Sequence, residues 1–300
     1  MKSTSLSVII PVFNGLEYTR KCIHSLNNQE QILSASGVSM SIILVDDGST
    51  DGTSEWVQAN YPGVHVIMGD GNLWWSGAIN KGVEFALDRL NSEYILWWNN
   101  DILPAKDYFE KLSAIIQNSS PNTIIGSKIY MLKGDLIWGM GGKFDPVSGK
   151  KYMYGERTPD SDLYRKPMAV DWFPGMGTCF HKSVFAKVGM LDASGFPQYH
   201  GDSDFTYRTK KGGYNLVAFP ELVIYNDDKN TGLMHHGKFS NLYKSLVSIK
   251  SNQNIKKDIL FFNKHASSPL AYLALIDKYF RYIGGFYKWK FLNAIGVKRN

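Results

Sequence analysis

Cysteine is scarce in this chain of 300 residues, which contains only Cys22 and Cys179. Two cysteines so far apart in sequence do not make a disulfide framework, and the CxxC and CxxH spacings of zinc sites are absent. No uncharged apolar run approaches the roughly 18 to 20 residues of a membrane-spanning helix. The apolar run near the N-terminus is interrupted by Pro11 and is too short for a signal-peptide core. These absences predict a protein that is made and kept in the reducing cytoplasm.

Acidic residues are scarce towards the C-terminus. Residues 234–300 contain 12 Lys plus Arg and 2 Asp plus Glu, against 33 and 27 in the whole chain. Subtraction leaves 21 basic and 25 acidic residues elsewhere, so the body carries a net charge of −4 and the tail +10. A tail this basic favours an anionic partner. Because no RNA- or DNA-binding motif is present, we expect no nucleic acid and a peripheral contact with the inner face of the cell membrane.

Short apolar runs alternate with amphipathic segments in the first half of the chain. The predicted strands are Ser7–Phe13, Ser41–Asp47, Val64–Met68 and the run from Tyr94 to Trp98. The predicted helices are Leu16–Leu26, Thr53–Asn60, Ser76–Leu90 and Pro104–Gln117. This alternation predicts an α/β fold with a mostly parallel, doubly wound sheet covered on both faces. The carboxyl ends of parallel strands meet at one edge, where ligands bind in such folds.

Acidic residues follow two of these strands. Asp46 and Asp47 end the second strand in VDDGSTDGT, and Asp101 follows the fourth in YILWWNND. Carboxylates at this edge can accept hydrogen bonds from a base or a ribose, or bind a hard cation. The simpler alternative is a turn followed by a helix cap. The same alternative applies to Asn99 and Asn100, which could merely cap the turn before Pro104.

Two tryptophans stand in the glycine-rich stretch GDGNLWWSGAINKG, residues 69–82. Trp74 and Trp75 are suited to packing on a base or a sugar face. They are equally suited to filling the core, and the sequence leaves both interpretations open.

The order of these motifs resembles that of the family 2 glycosyltransferases. The first half of the chain contains, in this order, SVIIPVFNG, ILVDDGSTDGT, the GN…G…N.G helix entry and a strand ending in an Asp-containing triplet. The second half contains FPGMGTCFHKSVFAKVGMLD and HGDSDFTYRTKKGGY. The family has the GT-A fold, a nucleotide-binding α/β domain. The resemblance implies a metal-dependent, inverting glycosyltransferase that builds a bacterial surface polysaccharide such as capsule or O-antigen. It implies Mn²⁺ or Mg²⁺ as cofactor and a nucleotide-diphosphate sugar as donor, for which dTDP-rhamnose or a UDP-hexose is our expectation. The acceptor is a glycan or a lipid-linked glycan.

The resemblance also assigns roles to individual residues. Asp101 matches the metal-binding Asp of the family's D-x-D triplet, and His235 lies in a region where members often carry a metal-binding His. Asp202 matches the base of the E-D pair, which would take the acceptor proton. Asp204 is expected to pair with Arg208 four residues on.

Two further groups complete the predicted site. The expected nucleotide- and donor-binding residues are Pro11, Phe13, Asp46, Asp47, Asn72, Trp74, Trp75, Asn80, Asn99 and Asn100. The expected contacts to the donor sugar or acceptor are Trp172, Gly175, Met176 and Gly201. Three positions depart from the family pattern: Asn99 and Gly201 stand where carboxylates are common, and Ile79 stands where relatives have Arg. The diphosphate would then be bound by the metal, by backbone N–H groups at the helix start, or by cations elsewhere.

The resemblance divides the chain into a GT-A domain over residues 1–232 and a basic, helical extension over residues 233–300. Within the domain, residues 1–130 form the nucleotide-binding half and residues 131–232 the acceptor-side half. The extension is expected to be amphipathic, with a break at Gly284-Gly285. It would contact a membrane, pack on the domain, or form a homodimer contact.

Other functions fit less well. A sugar-nucleotide pyrophosphorylase would carry a glycine-rich, basic loop after the first strand, where FNGLEYTRK stands instead. A dinucleotide-dependent oxidoreductase would carry GxGxxG there. The non-enzyme alternative is a degenerate GT-A protein acting as a binding or scaffold subunit, which the three departures favour and the intact Asp101 and Asp202 oppose.

Overall fold

The computed structural model describes residues 4–132, 136–227 and 238–295. His235, the second predicted metal ligand, lies outside the described residues.

The described residues form thirteen strands and nine α-helices. The strands are β1 (Thr4–Val12), β2 (Val38–Asp46), β3 (His65–Met68), β4 (Tyr94–Trp97), β5 (Ile102–Pro104), β6 (Thr123–Met131), β7 (Leu136–Gly139), β8 (Gly142–Phe144), β9 (Lys151–Met153), β10 (Thr158–Pro159), β11 (Met168–Ala169), β12 (Thr178–His181) and β13 (Asn215–Asn226). The helices are α1 (Leu16–Ala35), α2 (Thr53–Asn60), α3 (Trp74–Asp88), α4 (Tyr108–Asn118), α5 (Ser183–Val188), α6 (Gly201–Lys211), α7 (Phe239–Val247), α8 (Ile255–His265) and α9 (Ala271–Ala294).

The main sheet is mixed. Its strand order is β10-β7-β6-β12-β4-β1-β2-β3, with β13 pairing off this path to β5, β6 and β11. Strands β4, β1, β2 and β3 are parallel, as the alternating pattern predicted. Strand β12 is antiparallel to both β4 and β6, whereas β13 is parallel to β6, so the sheet is mixed beyond the first four strands.

Each face of the sheet carries its own core. Val8 and Ile10 of β1 contribute to a cluster with residues of α1 and α4, whereas Ile9 contributes to a cluster with α3, α5 and α6. Successive side chains of a strand point to opposite faces, so a continuous apolar run fits a strand covered on both sides. Helix α3 approaches β1 closely, because a Cβ added at Gly82 would lie 2.4 Å from Ile9 Cγ2. Strands β1 and β4 are therefore buried over most of their length, whereas the edge strand β3 stays partly exposed.

The chain divides into two compact units. The larger comprises residues 1–143, 153–197 and 201–229, and the smaller comprises residues 144–152, 198–200 and 230–300. A buried carboxylate stabilises the smaller unit: Asp258 accepts hydrogen bonds from Lys278 Nζ and Tyr279 Oη, and its Oδ1 lies 3.1 Å from His200 Nε2. Burial raises the pKa of Asp258, but the hydrogen bond from His200 and the charge of Lys278 outweigh burial, so the pKa lies well below its usual range.

Helix α9 corrects one sequence prediction. It runs without interruption through Gly284 and Gly285, where a break was expected. A glycine costs only about 1 kcal/mol relative to alanine inside a helix. Buried side chains on both sides of the pair, Tyr279 and Phe286, hold the helix against its unit. None of the helices that the structure describes combines the length and apolar character needed to cross a bilayer.

Candidate active site

The carboxyl ends of β1, β2 and β4 lie at one edge of the sheet. Val12 is paired with Asp46 across β1 and β2, and Ile9 with Trp97 across β1 and β4. The two acidic turns that follow β2 and β4 therefore lie at the same edge, with the end of β1 between them.

Asp46 closes the turn after β2. Its side chain is fully buried, with Oδ1 accepting from the Ser49 N–H at 2.7 Å and Oδ2 accepting from the Ser54 hydroxyl. Both carboxylate oxygens are thus used within the turn. This geometry supports the turn interpretation of Asp46 over direct contact with a nucleotide.

Asp47 caps the start of α3. Its carboxylate accepts from the backbone N–H groups of Gly71 at 2.9 Å, Leu73 at 3.1 Å and Trp74 at 2.9 Å. A carboxylate is favourable at this position because the start of a helix carries partial positive charge. Because Asp47 occupies these N–H groups, they are not donors to a diphosphate. The same cap holds Trp74 at a φ of 55°, in the left-handed region that side chains disfavour.

Trp75 connects the triplet after β4 to the loop after β11. Its indole Nε1–H donates to Asn99 Oδ1 at 3.0 Å, and its ring packs edge-on against Trp97. A Cβ added at Gly175 would lie 2.1 Å from Trp75 Cζ2, so only glycine fits beneath the ring. Trp75 is half-buried, and it contributes to the protein interior as well as lining the edge.

Asn100 ties the triplet to the loop after β1. Its Nδ2 donates to Thr19 Oγ1 at 3.1 Å, and it packs closely against Gly15. Phe13, at the tip of the same loop, is exposed at the edge and accessible to a nucleotide base.

Asp101 is the third member of the triplet, and its carboxylate is incompletely satisfied. Oδ1 is buried and has no hydrogen-bond partner among the described residues. Burial raises the pKa of Asp101 to about 6, and the nearby Asp227 carboxylate adds to the rise. Asp227 directly follows β13, and its backbone N–H donates to the Asp101 carbonyl at 3.1 Å. Two acidic residues therefore lie side by side at this edge, and no described residue donates to Asp101 Oδ1.

Asp202 lies in the first turn of α6. Its Oδ2 accepts from the Gly175 N–H at 3.0 Å, while Thr206 Oγ1 accepts from the Phe173 N–H at 3.0 Å, so two hydrogen bonds hold the loop after β11 against α6. Asp202 is partly exposed, with free lone pairs available to a substrate.

Asp204, two residues on, has a structural role. It is fully buried and accepts from Arg208 Nε at 3.0 Å, which confirms the predicted pair. Arg208 also donates to the carbonyls of Val188 and Met190, so this pair anchors the loop after α5.

The departure at Gly201 has a steric reason. A Cβ at this position would lie 2.1 Å from Ser76 Oγ and 3.0 Å from the Phe196 carbonyl. Ser76 Oγ itself donates to that carbonyl at 2.6 Å, so it cannot turn away without losing a buried hydrogen bond. The close approach of α3 to α6 therefore excludes the glutamate that the family pattern has at this position.

Several predicted residues lie outside the edge or take structural roles. Asn80 donates to and accepts from the backbone of Leu191, at 2.9 Å each. Trp172 and Met176 are buried, with Trp172 Nε1 donating to the Lys143 carbonyl at 3.3 Å. Ile79 is fully buried in the core. Pro11 lies half-buried within β1, and Asn72 is exposed in the loop before α3.

The edge of the sheet supplies some, but not all, of the ligands that a divalent cation needs. Mn²⁺ and Mg²⁺ prefer oxygen ligands, and the unpartnered Oδ1 of Asp101 is such a ligand. Asp227 is the second carboxylate at this position. Within residues 4–132, 136–227 and 238–295, no three or more His, Cys, Asp or Glu side chains form a metal-binding group. The residues present therefore suit an ion whose remaining ligands come from phosphate oxygens and water.

Sequence reasoning missed three residues of this site. Asp227 had a usable signal, because VIYND ends a buried strand in polar residues just as YILWWNND does. Ser76 and Thr206 had none, since their roles depend on contacts with Phe196 and Phe173, 120 and 33 residues away in sequence.

The sequence of the chain is similar to those of known glycosyltransferases. The family model described as Glycosyl transferase family 2 matches residues 7–181. The low-salt glycan biosynthesis hexosyltransferase Agl10 of Haloferax volcanii is 27% identical over 194 residues, which are 60% of this chain and 56% of that protein. An N-acetylglucosaminyl-diphospho-decaprenol L-rhamnosyltransferase of Mycobacterium tuberculosis is 24% identical over 216 residues, covering 64% of this chain and 68% of the relative.

A solved structure shares the fold. The crystal structure of GalNAc-T7 with UDP, GalNAc and Mn²⁺ aligns with 75% of this chain at a TM-score of 0.58 and 17% identity. The chain covers 44% of the GalNAc-T7 chain, and its match spans little more than half of Agl10.

Proposed function

The chain belongs to glycosyl transferase family 2 and has the GT-A fold, and on that premise we propose that it transfers a sugar from a nucleotide-diphosphate donor to a glycan or lipid-linked acceptor, with inversion. The observation that carries the proposal is a series of contacts that joins Asp202 to the triplet after β4. Asp202 holds the Gly175 N–H, Gly175 lies beneath Trp75, and Trp75 donates to Asn99 beside Asp101. An accessible base and an unsatisfied carboxylate are thereby kept on one rigid frame.

Asp202 is the proposed general base. It takes the proton of the acceptor hydroxyl while that oxygen forms a bond to the anomeric carbon of the donor sugar. The bond from the anomeric carbon to the phosphate oxygen breaks, and the nucleoside diphosphate leaves with the electron pair. One displacement without a covalent intermediate inverts the anomeric configuration. The Gly175 N–H donates to Asp202 Oδ2 at 3.0 Å and the Ser203 N–H donates to Oδ1 at 2.7 Å. These two bonds fix the orientation of the carboxylate, and each oxygen keeps a lone pair for the acceptor hydroxyl in this proposal.

Asp101 and Asp227 are the proposed residues for Mn²⁺ or Mg²⁺. When bound, the cation would neutralise the negative charge of the departing diphosphate. Within the part of the chain that the structure describes, no hydrogen bond to Asp101 Oδ1 competes with a cation. Asn99 keeps Trp75 in place and adds no charge.

The proposed donor is dTDP-rhamnose or a UDP-hexose, and the proposed pathway is surface polysaccharide synthesis. The names of the two relatives support these choices, since one is a rhamnosyltransferase and the other a hexosyltransferase. The rhamnosyltransferase is named for a decaprenol-linked substrate, which supports a lipid-linked acceptor here. We place the reaction at the inner face of the cell membrane, reached through the basic C-terminal helices.

A donor screen tests this function. The full chain is incubated with Mn²⁺ or Mg²⁺ and a panel of dTDP-, UDP- and GDP-sugars, and the release of nucleoside diphosphate is followed. We expect one donor to be hydrolysed or transferred in a metal-dependent manner. Asp202→Asn should then abolish transfer, while nucleotide binding, measured by calorimetry, should persist.

The control is Asp88→Asn, an exposed aspartate at the last residue of α3, whose opposite end lies at the edge. It should retain full activity. If no donor is turned over and no nucleotide raises the melting temperature, with lipid-linked acceptor present, the catalytic proposal fails. The scaffold alternative then remains.

A further inference from the structure

Helix α9 has two apolar faces. One is buried in its own unit and includes Leu275, Tyr279 and Phe286. The other is exposed, and its large side chains are each between 55% and 77% accessible: Leu273, Ile276, Phe280, Tyr287 and Phe291. We refer to these five residues as the outer stripe.

The outer stripe is a continuous surface. At about 100° per residue, its five members fall within an arc of roughly 60°, whose centre lies about 110° around the helix from the buried residues. Between its ends, Leu273 and Phe291, the helix rises about 27 Å. Gly284 lies near the middle, and a Cβ there would meet nothing within 4 Å, so the surface is open at that point. Single exposed apolar residues are ordinary, whereas an aligned set of five indicates a contact surface.

Positive charge borders the stripe on both sides. Arg281 and Lys288 lie along one border, and Lys290 lies along the other, with its Nζ 3.8 Å from the Phe239 ring centre. Residues 238–295 contain ten Lys plus Arg and two Asp plus Glu. Both acidic residues are already paired, Asp258 with Lys278 and Asp277 with Arg281. The described part of the C-terminal segment therefore carries a net positive charge, although Asp277 offsets Arg281 on one border of the stripe.

We propose that the outer stripe inserts its side chains into the interface of a bilayer with anionic headgroups, with α9 lying parallel to the membrane plane. The charge decides between the candidate occupants. A second copy of this chain would bring one basic border against another, whereas anionic lipids neutralise both borders. Three of the five residues are aromatic, a composition suited to the headgroup level. The inference extends the lipid-linked acceptor of the proposed function, but vesicle binding requires neither donor nor acceptor.

Vesicle co-sedimentation tests the proposal with the full chain. Vesicles of phosphatidylcholine alone are compared with vesicles that also contain phosphatidylglycerol. The chain should bind the anionic vesicles, and binding should weaken as salt is added. The double variant Phe280→Ser/Phe291→Ser should lose at least about tenfold in apparent affinity, because two exposed aromatic side chains no longer enter the interface. Lys288→Glu should weaken binding to anionic vesicles by a smaller factor, about three- to tenfold.

The matched control is Leu163→Ser/Val147→Ser, which removes two exposed apolar side chains outside α9. It should bind vesicles as the unsubstituted chain does. Circular dichroism and donor hydrolysis should be unchanged in every variant, since none of these residues lies at the active-site edge. That second readout separates a failure of membrane binding from a failure of the transferase proposal.

Three outcomes overturn the inference. The first is that the unsubstituted chain does not bind anionic vesicles. The second is that Phe280→Ser/Phe291→Ser binds them as well as the control does. The third is that light scattering shows a dimer that this variant converts to a monomer, with no vesicle binding by either form, which would assign the outer stripe to a second copy.

Discussion

Two acidic turns follow the parallel strands β2 and β4, which flank β1, and their carboxylates differ in hydrogen bonding. In the turn after β2, Asp46 and Asp47 accept five hydrogen bonds between them from nearby hydroxyl and backbone groups. In the turn after β4, Asp101 has a buried oxygen with no hydrogen-bond partner among the described residues. Similar residues at the same edge thus serve different purposes. The first turn stabilises the fold, while the second leaves the carboxylate oxygen that we propose as a cation ligand.

A second comparison is between Asp101 and Asp258, which lies in the smaller unit. Asp258 is also buried, yet His200 and Lys278 hold its pKa well below the usual range, whereas burial raises the pKa of Asp101 to about 6. Burial by itself disfavours a charged carboxylate. The partners of a buried carboxylate therefore decide whether its pKa is lowered or raised.

The largest expected effect comes from the unsatisfied carboxylate. Asp101→Asn should lower metal-dependent nucleoside diphosphate release by about a thousandfold, because charge stabilisation by a bound cation is worth several kcal/mol. Thermal unfolding should occur at an unchanged or higher temperature, since a buried, unpaired carboxylate is removed. Activity above one tenth of the original at saturating Mn²⁺ would refute the metal assignment.

Loss of the Asp258 carboxylate, which is fully paired, should lower the stability of the fold. Asp258→Asn should lower the free energy of unfolding by about 3 kcal/mol at neutral pH, because charged partners lose their counterpart. A carboxyl group whose pKa is lowered by folding stabilises the native state above its ordinary value of 3.8, and this contribution is lost as the pH falls below it. The difference between variant and unsubstituted chain in urea unfolding should accordingly shrink at acidic pH. A constant difference would contradict the pairing.

The next prediction concerns the close contact between Gly201 of α6 and Ser76 of α3, which we expect to position Asp202. Gly201→Ala should reduce transfer by about a hundredfold, because the new Cβ would lie 2.1 Å from Ser76 Oγ and must displace α6. Ser76→Ala in the same chain should recover part of the loss, as it removes that oxygen. Kinetic constants of both single variants and the pair give the coupling. Additive losses would show that the contact does not position α6.

Substitution of Asp47 in the turn after β2 should lower the stability of the fold. Asp47→Asn should lower the free energy of unfolding by about 2 kcal/mol, because one of its two acceptor oxygens becomes a donor facing backbone N–H groups. Chemical denaturation measures this loss. Asp70→Asn, in the exposed loop beside it, serves as the control and should change stability little. Equal effects of the two variants would contradict the capping role of Asp47.

The smallest effect concerns the departure at Asn99. Asn99→Asp should retain the bond from Trp75 Nε1–H and add negative charge next to Asp101, so Mn²⁺ affinity without nucleotide should rise severalfold. Calorimetric titration with Mn²⁺ measures the change. Trp75→Phe is the companion variant, which removes the indole N–H and should leave Mn²⁺ affinity as it is. No gain in Asn99→Asp would place the cation away from the triplet.

The sequence predicted the family, the fold and the four parallel strands correctly, because alternating apolar runs and glycine turns are local features. It placed the start of α4 too early, since residues 102–104 form β5, which pairs with β13 more than a hundred residues later. The expected break at Gly284-Gly285 was wrong because packing of α9 outweighs the local preference of glycine. The assignments of donor, acceptor, metal and base stay predictions.

The sequence by itself determined where the acidic turns lie and that they share an edge, because strand order and handedness follow from the alternation of strands and helices. Only the tertiary structure decided which aspartate is satisfied and which is not. Asp47 meets the start of α3 and Asp204 meets Arg208, while Asp101 Oδ1 meets no donor among the described residues. Hydrogen bonding depends on distances of a few tenths of an ångström between segments far apart in sequence, and local patterns carry no information on those distances.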